Sequence, residues 1–293
     1  MLENAKYEFL DINNIKIHAV SLGHENSKSP ILLLHGFPEF YYSFRYLMPL
    51  LAKERKVIAI DQRGYNKSSK PKKVKNYNLG LLMKDVVEVI KQISPTNDVI
   101  LVGHDWGGAI AWHVARYYPQ YIDRLIILNC PPVDLLLRSL LKIPQQFLKS
   151  YYIFMFQLPL IPEMLFKAKN YVVLRRLLKA IRYRETQQTQ KDIEEYIKCF
   201  NRSRGMSGIN YYRAAFRDAI LGRAKPKPDL KVKCLTLVLW GTKDLALHIR
   251  LTYHFHEYVE ENKLKIKYFP GVGHFIQQEI PSKVAENILN FIK

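Results

Sequence analysis

A chain of 293 residues, 48% hydrophobic and 24% charged, has room for one large α/β domain with an inserted subdomain. Three widely separated cysteines, Cys130, Cys199 and Cys234, have no CxxC spacing, which argues against a disulfide framework or a zinc site and for a reducing compartment. The formal net charge of +19 raises nucleic-acid binding, but no nucleic-acid motif accompanies it, and no apolar run approaches the roughly 20 residues that span a bilayer.

The N-terminal MLENAKYEFLDINNIKIH lacks the basic-then-apolar pattern of a signal peptide, so the expected location is the cytoplasm. IKIHAVSLG (15–23) alternates as a half-buried strand would. SPILLLHG (29–36) and KVIAIDQRG (56–64) are short continuous apolar runs, the form of parallel strands buried on both faces. Helical patterns follow in SFRYLMPLLAKE and NLGLLMKDVVEVIKQI, and then VILVGHD, DRLIILNCPP, VKCLTLVLWGTKD and LKIKYFPGVGH read as further strands. PSKVAENILNFIK is a closing helix with an apolar face at Val284, Ile288, Leu289 and Ile292. Strand–helix alternation of this kind predicts a mostly parallel sheet covered by helices on both faces.

Between NCPPVD and GRAKPKPDL the strand signal disappears, and helical, aromatic and basic segments replace it. Residues 134–228 are therefore expected to form a helical lid over the carboxyl ends of the sheet, inserted into a core made of 1–133 and 229–293. Within 135–228 stand nineteen Lys/Arg and six Asp/Glu. A solvated basic face is the plain explanation, and attraction to an anionic membrane surface or to an acidic substrate is the functional one.

GHDWGG (103–108) places Asp105 where a strand turns sharply into a helix, the position of a nucleophile elbow. The competing account is an aspartate that merely caps the helix. Downstream, WGTKD puts Asp244 in the turn after one strand, and GVGH puts His274 in the loop after the last, giving the order nucleophile, acid, histidine. Asp134, just after LIILNC, is the alternative acid. The loop HGFPEFYYSF (35–44) follows a strand and can lend the Phe37 N–H to an oxyanion hole completed by the Trp106 N–H. Serine at the elbow would suit carbonyl substrates. A carboxylate instead attacks saturated carbon, displaces a leaving group and forms an ordinary alkyl ester, which water activated by His274 can cleave.

With HGFP, GHDWGG, WGTKD and GVGH in this order, the chain resembles the epoxide hydrolases of the α/β-hydrolase superfamily, most of all soluble-type and epoxide hydrolase 4-like members. DQRGYNKSSKP (61–71) is similar to the family's RGYGxSxxP loop, with Asn66 where glycine is usual. The resemblance implies an α/β-hydrolase fold with a helical lid and conversion of a small apolar epoxide to a diol without metal or organic cofactor. It implies two lid tyrosines that protonate the epoxide oxygen, matching Tyr152 in SYYIFMFQLP and Tyr212 in INYYRAAF, with Tyr151 and Tyr211 one position away. His35, Phe37, Pro38 and Trp106 are the expected substrate contacts. Haloalkane dehalogenase is the alternative reaction, since Trp106 could donate its indole N–H to a halide, but Phe37 has no side-chain donor to offer as a second. Fluoroacetate dehalogenases share the outline, but their elbow resembles GHDRGG, from which Trp106 departs. A fold kept only for binding is the alternative outside enzymology, and nucleic acid is not an expected partner.

Overall fold

The continuous apolar runs become the middle of a single eight-stranded sheet. In the computed structural model, which describes residues 2–24, 29–94, 98–181, 183–203, 207–223 and 230–293, the strands are β1 (Lys6–Ile12), β2 (Ile15–Leu22), β3 (Ile31–Leu34), β4 (Val57–Ile60), β5 (Val99–His104), β6 (Ile122–Leu128), β7 (Leu235–Gly241) and β8 (Leu264–Phe269). Their order is β1-β2-β4-β3-β5-β6-β7-β8. β2 runs antiparallel to both neighbours, and every other pairing is parallel. Every residue of β3, β4 and β5 is buried, as expected for strands covered on two faces. β8 closes one edge with Lys265 and Lys267, charges that discourage a further strand from adding there.

Two expectations change. β2 is buried over most of its length rather than alternating, because β1 pairs with it from Ile15 to Ser21 and shields what would otherwise be an edge. β1 itself was not anticipated: KYEFLDI carries charge and is partly exposed. Asn13 and Asn14, both left-handed at φ 46° and 60°, make the two-residue turn that joins the hairpin. The helix expected across SFRYLMPLLAKE shrinks to a 3₁₀ turn at Tyr41–Phe44 and α1 (Leu47–Leu51).

On the sheet, α2 (Leu79–Ile93), capped by the Asn78 side chain, packs against α3 (Trp106–Tyr117), which lies on β3, β5 and β6. Between β6 and β7 the described elements are all helices: α4 (Val133–Lys142), α5 (Pro144–Lys149), α6 (Tyr151–Met155), α7 (Ile161–Lys179), α8 (Gln190–Arg202) and α9 (Ile209–Ile220). α7 is broken by extended backbone at Ala168 and left-handed backbone from Lys169 to Tyr171. The expected C-terminal edge of the insertion, at residue 228, lies outside the described residues, as does most of RAKPKPD. Two helices finish the chain, α10 (Ile276–Glu279) and α11 (Pro281–Phe291), the latter burying Val284 and Ile288. Among the described residues no helix is long and apolar enough to cross a membrane.

The insertion is tied to the sheet by a buried carboxylate. Asp192, in the first turn of α8, accepts from the Thr189 backbone N–H (2.6 Å) and hydroxyl (2.8 Å), closing a capping box. Its other oxygen meets Arg45 Nε (2.9 Å) and the Tyr42 hydroxyl (3.0 Å), both in the segment after β3. Burial works against the charge, but the Thr189, Arg45 and Tyr42 contacts hold its pKa below the usual carboxylate value. Removing one partner of a buried pair typically costs about 3–5 kcal/mol. Asp192→Ala is therefore expected to lower the melting temperature by roughly 10 °C, at about 2–4 °C per kcal/mol for a chain of this size. A melting curve that coincides with the parent's would contradict this.

Candidate active site

The loops that follow β3, β5, β7 and β8 gather at the carboxyl end of the sheet because those strands run parallel and lie near one another. β5 ends at His104, and the next residue, Asp105, has φ 49° and ψ −122° before α3 begins. So unusual a backbone for a residue with a side chain typically costs about 1–3 kcal/mol and marks a site whose surroundings hold it. Close approach does the holding. A Cβ on Gly107 would lie 2.1 Å from the Leu34 carbonyl oxygen, and one on Gly103 2.5 Å from the Gly107 oxygen. The elbow thus needs glycine on both sides for space.

Asp105 is not a helix cap: its side chain makes no capping hydrogen bond. Its Oδ1 accepts from the Phe37 backbone N–H at 2.8 Å, and its Oδ2 lies 3.7 Å from His274 Nε2. The Trp106 N–H, the other expected donor, stands at the first residue of α3. Burial opposes the negative charge, yet the neighbouring His274, then the charge of His104 and the Phe37 N–H, keep its pKa below the ordinary value.

His274 Nδ1 lies 2.7 Å from Asp244 Oδ2. Asp244 is itself fixed by the Ala246 N–H (2.7 Å) and Leu247 N–H (2.9 Å) on Oδ1 and by the Asn129 amide (2.7 Å) on Oδ2. Despite burial, the charge and hydrogen bond of His274, then the Leu247 N–H and Asn129, hold Asp244 below the usual range. Burial would depress His274, but the charge of Asp244 and contacts with Asp105 outweigh it and raise its pKa well above 6.5. The alternative acid, Asp134, lies in the first turn of α4 and pairs with Arg116 at 3.4 Å.

Two tyrosines from the insertion stand over this group. The Tyr152 and Tyr212 rings are 5.8 Å apart and nearly perpendicular, and Tyr212 packs edge-on against Trp106 (5.0 Å) and Phe37 (5.6 Å). Burial, then the charge of Asp105, raises the pKa of both phenols. Their sequence neighbours turn elsewhere: Tyr151 is 70% exposed, and buried Tyr211 donates its hydroxyl to the Arg63 carbonyl at 2.8 Å. Phe156 (4.9 Å from Tyr212) and Phe166 (6.0 Å from Phe37) complete an apolar surround. A surface cleft of about 640 Å³ on α9, lined by Met83, His113 and Leu221 among others, includes none of these residues.

The HGFP loop needs one correction. The Phe37–Pro38 peptide is cis, and Phe37 faces the tyrosines, but His35 is fully buried with both ring nitrogens engaged. Its Nδ1 donates to the Gly36 carbonyl (2.8 Å), and its Nε2 accepts from the Gln62 N–H (3.1 Å). Burial lowers its pKa, so it is neutral and shapes the loop rather than touching substrate. Asn66, where glycine is usual, takes φ 39° and donates its amide to Asp61 at 2.7 Å.

Sequence reasoning missed the polar layer behind the histidine. Glu39 Oε2 lies 2.6 Å from His104 Nδ1, and His104 Nε2 donates to the His274 carbonyl at 3.0 Å. Gln277 and Gln278 both donate to Glu39 Oε1 at 2.9 Å. Burial works against the Glu39 charge, but the charge and hydrogen bond of His104 hold its pKa low. Asn129, left-handed at φ 43°, accepts from the Gly241 N–H (2.8 Å) while its amide holds Asp244. A buried histidine ending an apolar strand, and a glutamate next to HGFP, were the available signals.

A parallel sheet, an acidic elbow and a histidine–aspartate pair at its carboxyl edge define a class, and a model of the α/β-hydrolase fold family matches residues 29–280. The chain belongs to that family. Within it, several of the relatives it resembles are epoxide hydrolases. It is 34% identical over 286 residues to Epoxide hydrolase 4 of Homo sapiens, a match covering 96% of this chain and 76% of that one. Epoxide hydrolase 1 of Caenorhabditis elegans is 34% identical over 298 residues, covering 100% and 71%. The crystal structure of a Bacillus megaterium epoxide hydrolase with an inhibitor superposes with a TM-score of 0.87 at 26% identity, covering 97% of this chain and 99% of that one.

Proposed function

We propose that the protein is an epoxide hydrolase that works through a covalent ester on Asp105. One observation carries the mechanism: the residue at the elbow is a carboxylate with its two oxygens in different company, Oδ1 on the Phe37 N–H and Oδ2 toward His274. The similarity along nearly the whole chain to epoxide hydrolases supports the substrate class.

In the first half-reaction Asp105 Oδ2 attacks an epoxide carbon, an ester C–O bond forms and the ring C–O bond breaks. The released alkoxide takes a proton from Tyr152 or Tyr212. In the second, water gives a proton to His274 and attacks the carboxyl carbon of Asp105. The Oδ1 that already accepts from the Phe37 N–H then carries the developing negative charge, so the donor is in place before the charge arrives. Collapse returns the carboxylate and the diol and frees one proton, which restores the phenol. Residues 134–228 act as the lid that supplies the proton donors. Phe37 offers only its backbone N–H near the leaving group, and two phenols, Tyr212 buried and Tyr152 partly buried, stand there instead, which favours an epoxide over a halide.

A single turnover in H₂¹⁸O tests the route. Excess enzyme should place the label in Asp105 and release unlabelled diol, since the diol oxygen comes from the carboxylate. Label in the diol with none in the protein would mean direct hydration and end the proposal.

A further inference from the structure

The inserted helices have an outer face as distinctive as their inner one. Among the described residues, thirteen of the eighteen large hydrophobic side chains that are exposed lie between Leu141 and Leu221. Leu141, Leu148, Tyr151, Leu160 and Met164 are each between 67% and 91% exposed. They are not scattered. Phe154 of α6 touches Phe147 of α5 (ring centroids 5.8 Å) and Phe216 of α9 (6.1 Å), which joins three helices into one apolar surface. Leu160 is held left-handed at φ 63° in QLPLIP and yet remains exposed, so no burial within the chain accounts for that bulky tip.

The same stretch is basic. Residues 141–181 contain seven Lys/Arg and a single acid, Glu163. That acid is held by Arg213 at 2.6 and 3.2 Å. Lys142, Lys167, Lys169, Arg176 and Lys179 are exposed beside the apolar side chains.

We propose that this face of α4–α7 and α9 docks on the surface of an anionic lipid bilayer. Contiguous exposed leucine and aromatic side chains need an apolar cover, and the surrounding lysines need negative charge. A second copy of the chain would supply the first and repel through the second. A polyanion such as nucleic acid would supply the second and leave the leucines in water. A bilayer with anionic headgroups supplies both: apolar tips enter the headgroup boundary while the ammonium groups stay at phosphate level. α6 then has two roles by side, with Tyr151 turned outward and Tyr152 turned inward against Phe156 and Tyr212. Taken with the proposed reaction, this places the site beside the phase in which apolar epoxides accumulate, but the docking does not depend on that reading.

The test is co-sedimentation of the full chain with vesicles of phosphatidylcholine alone and of equal parts phosphatidylcholine and phosphatidylserine, at low and high salt. Binding is expected on the anionic vesicles at low salt, weakening with salt and on the neutral lipid. Leu148→Asp/Leu160→Asp and, separately, Lys167→Glu/Lys169→Glu should each weaken it by about tenfold or more. All four side chains are exposed, so circular dichroism and melting should match the parent. No sedimentation with anionic vesicles at low salt, or unchanged binding by both double variants, would overturn the proposal. So would light scattering that shows a dimer which the leucine variant dissociates, since a second copy would then be the cover.

Discussion

A His274→Gln variant mixed with an epoxide is expected to gain the mass of the whole epoxide and to keep it. The free protein holds His274 between Asp244 at 2.7 Å and Asp105 at 3.7 Å. Burial pulls the imidazole pKa down, but Asp244 and Asp105 together raise it well above 6.5. When Asp105 becomes an ester, one of those two charges disappears and the imidazole pKa falls, freeing a base at the step that needs one. The hydrolytic half-reaction should therefore quicken as pH rises through the lowered value, while alkylation continues at more acidic pH because Asp105 stays ionised. Removal of the base should slow ester hydrolysis by about 10²–10⁴. Intact-protein mass spectrometry reads the outcome: no adduct from an epoxide that the parent turns over rules out the ester route. An adduct that survives Asp105→Ala moves the nucleophile elsewhere.

The same pKa directions set a stability window. His274, raised on folding, contributes stability that is complete below its unfolded value near 6.5 and is lost as pH rises through the folded value. Asp105 and Asp244, depressed on folding, contribute stability present above about 3.8 and lost as pH falls through their folded values. The triad therefore supports the fold best between these limits.

Much of the sheet could be read directly because strands such as ILLL and VILVGH are buried on both faces and leave continuous apolar runs. The elbow was legible for a local reason: glycines within three residues of Asp105 leave room that only one sharp turn requires. β1 escaped because an edge strand keeps its charges, and β2 was misjudged because its burial depends on β1. WGTKD favoured Asp244 over Asp134 locally, but the contacts that separate them are distant in sequence: Arg116 pairs with Asp134, and Asn129 orients Asp244. The layer joining Glu39 to His104, Gln277 and Gln278 spans 65, 238 and 239 positions of sequence, so its geometry exists only after folding.

Replacing both lid tyrosines, Tyr152→Phe with Tyr212→Phe, is expected to slow ring opening by about 10²–10⁴, the usual worth of a positioned general acid. Phenylalanine keeps the rings that pack on Phe37, Trp106 and Phe156, so the loss isolates two hydroxyl groups. Burial, and then the Asp105 charge, keeps both phenols protonated at any working pH. In the proposed attack that charge passes from Asp105 to the epoxide oxygen. The influence that held the phenol protons in place weakens at Asp105 as an alkoxide, a far stronger base, forms beside them. Proton transfer is thus coupled to the bond change rather than preceding it. The measurement is the alkylation rate in the His274→Gln background, where hydrolysis does not obscure it. Each single variant should lose less than the pair, because one hydroxyl can still donate. Tyr211→Phe provides the contrast: its hydroxyl is spent on the Arg63 carbonyl, so it should alter melting and leave alkylation near the parent rate. A double variant that opens the epoxide at the parent rate would take the proton donor away from α6 and α9 altogether.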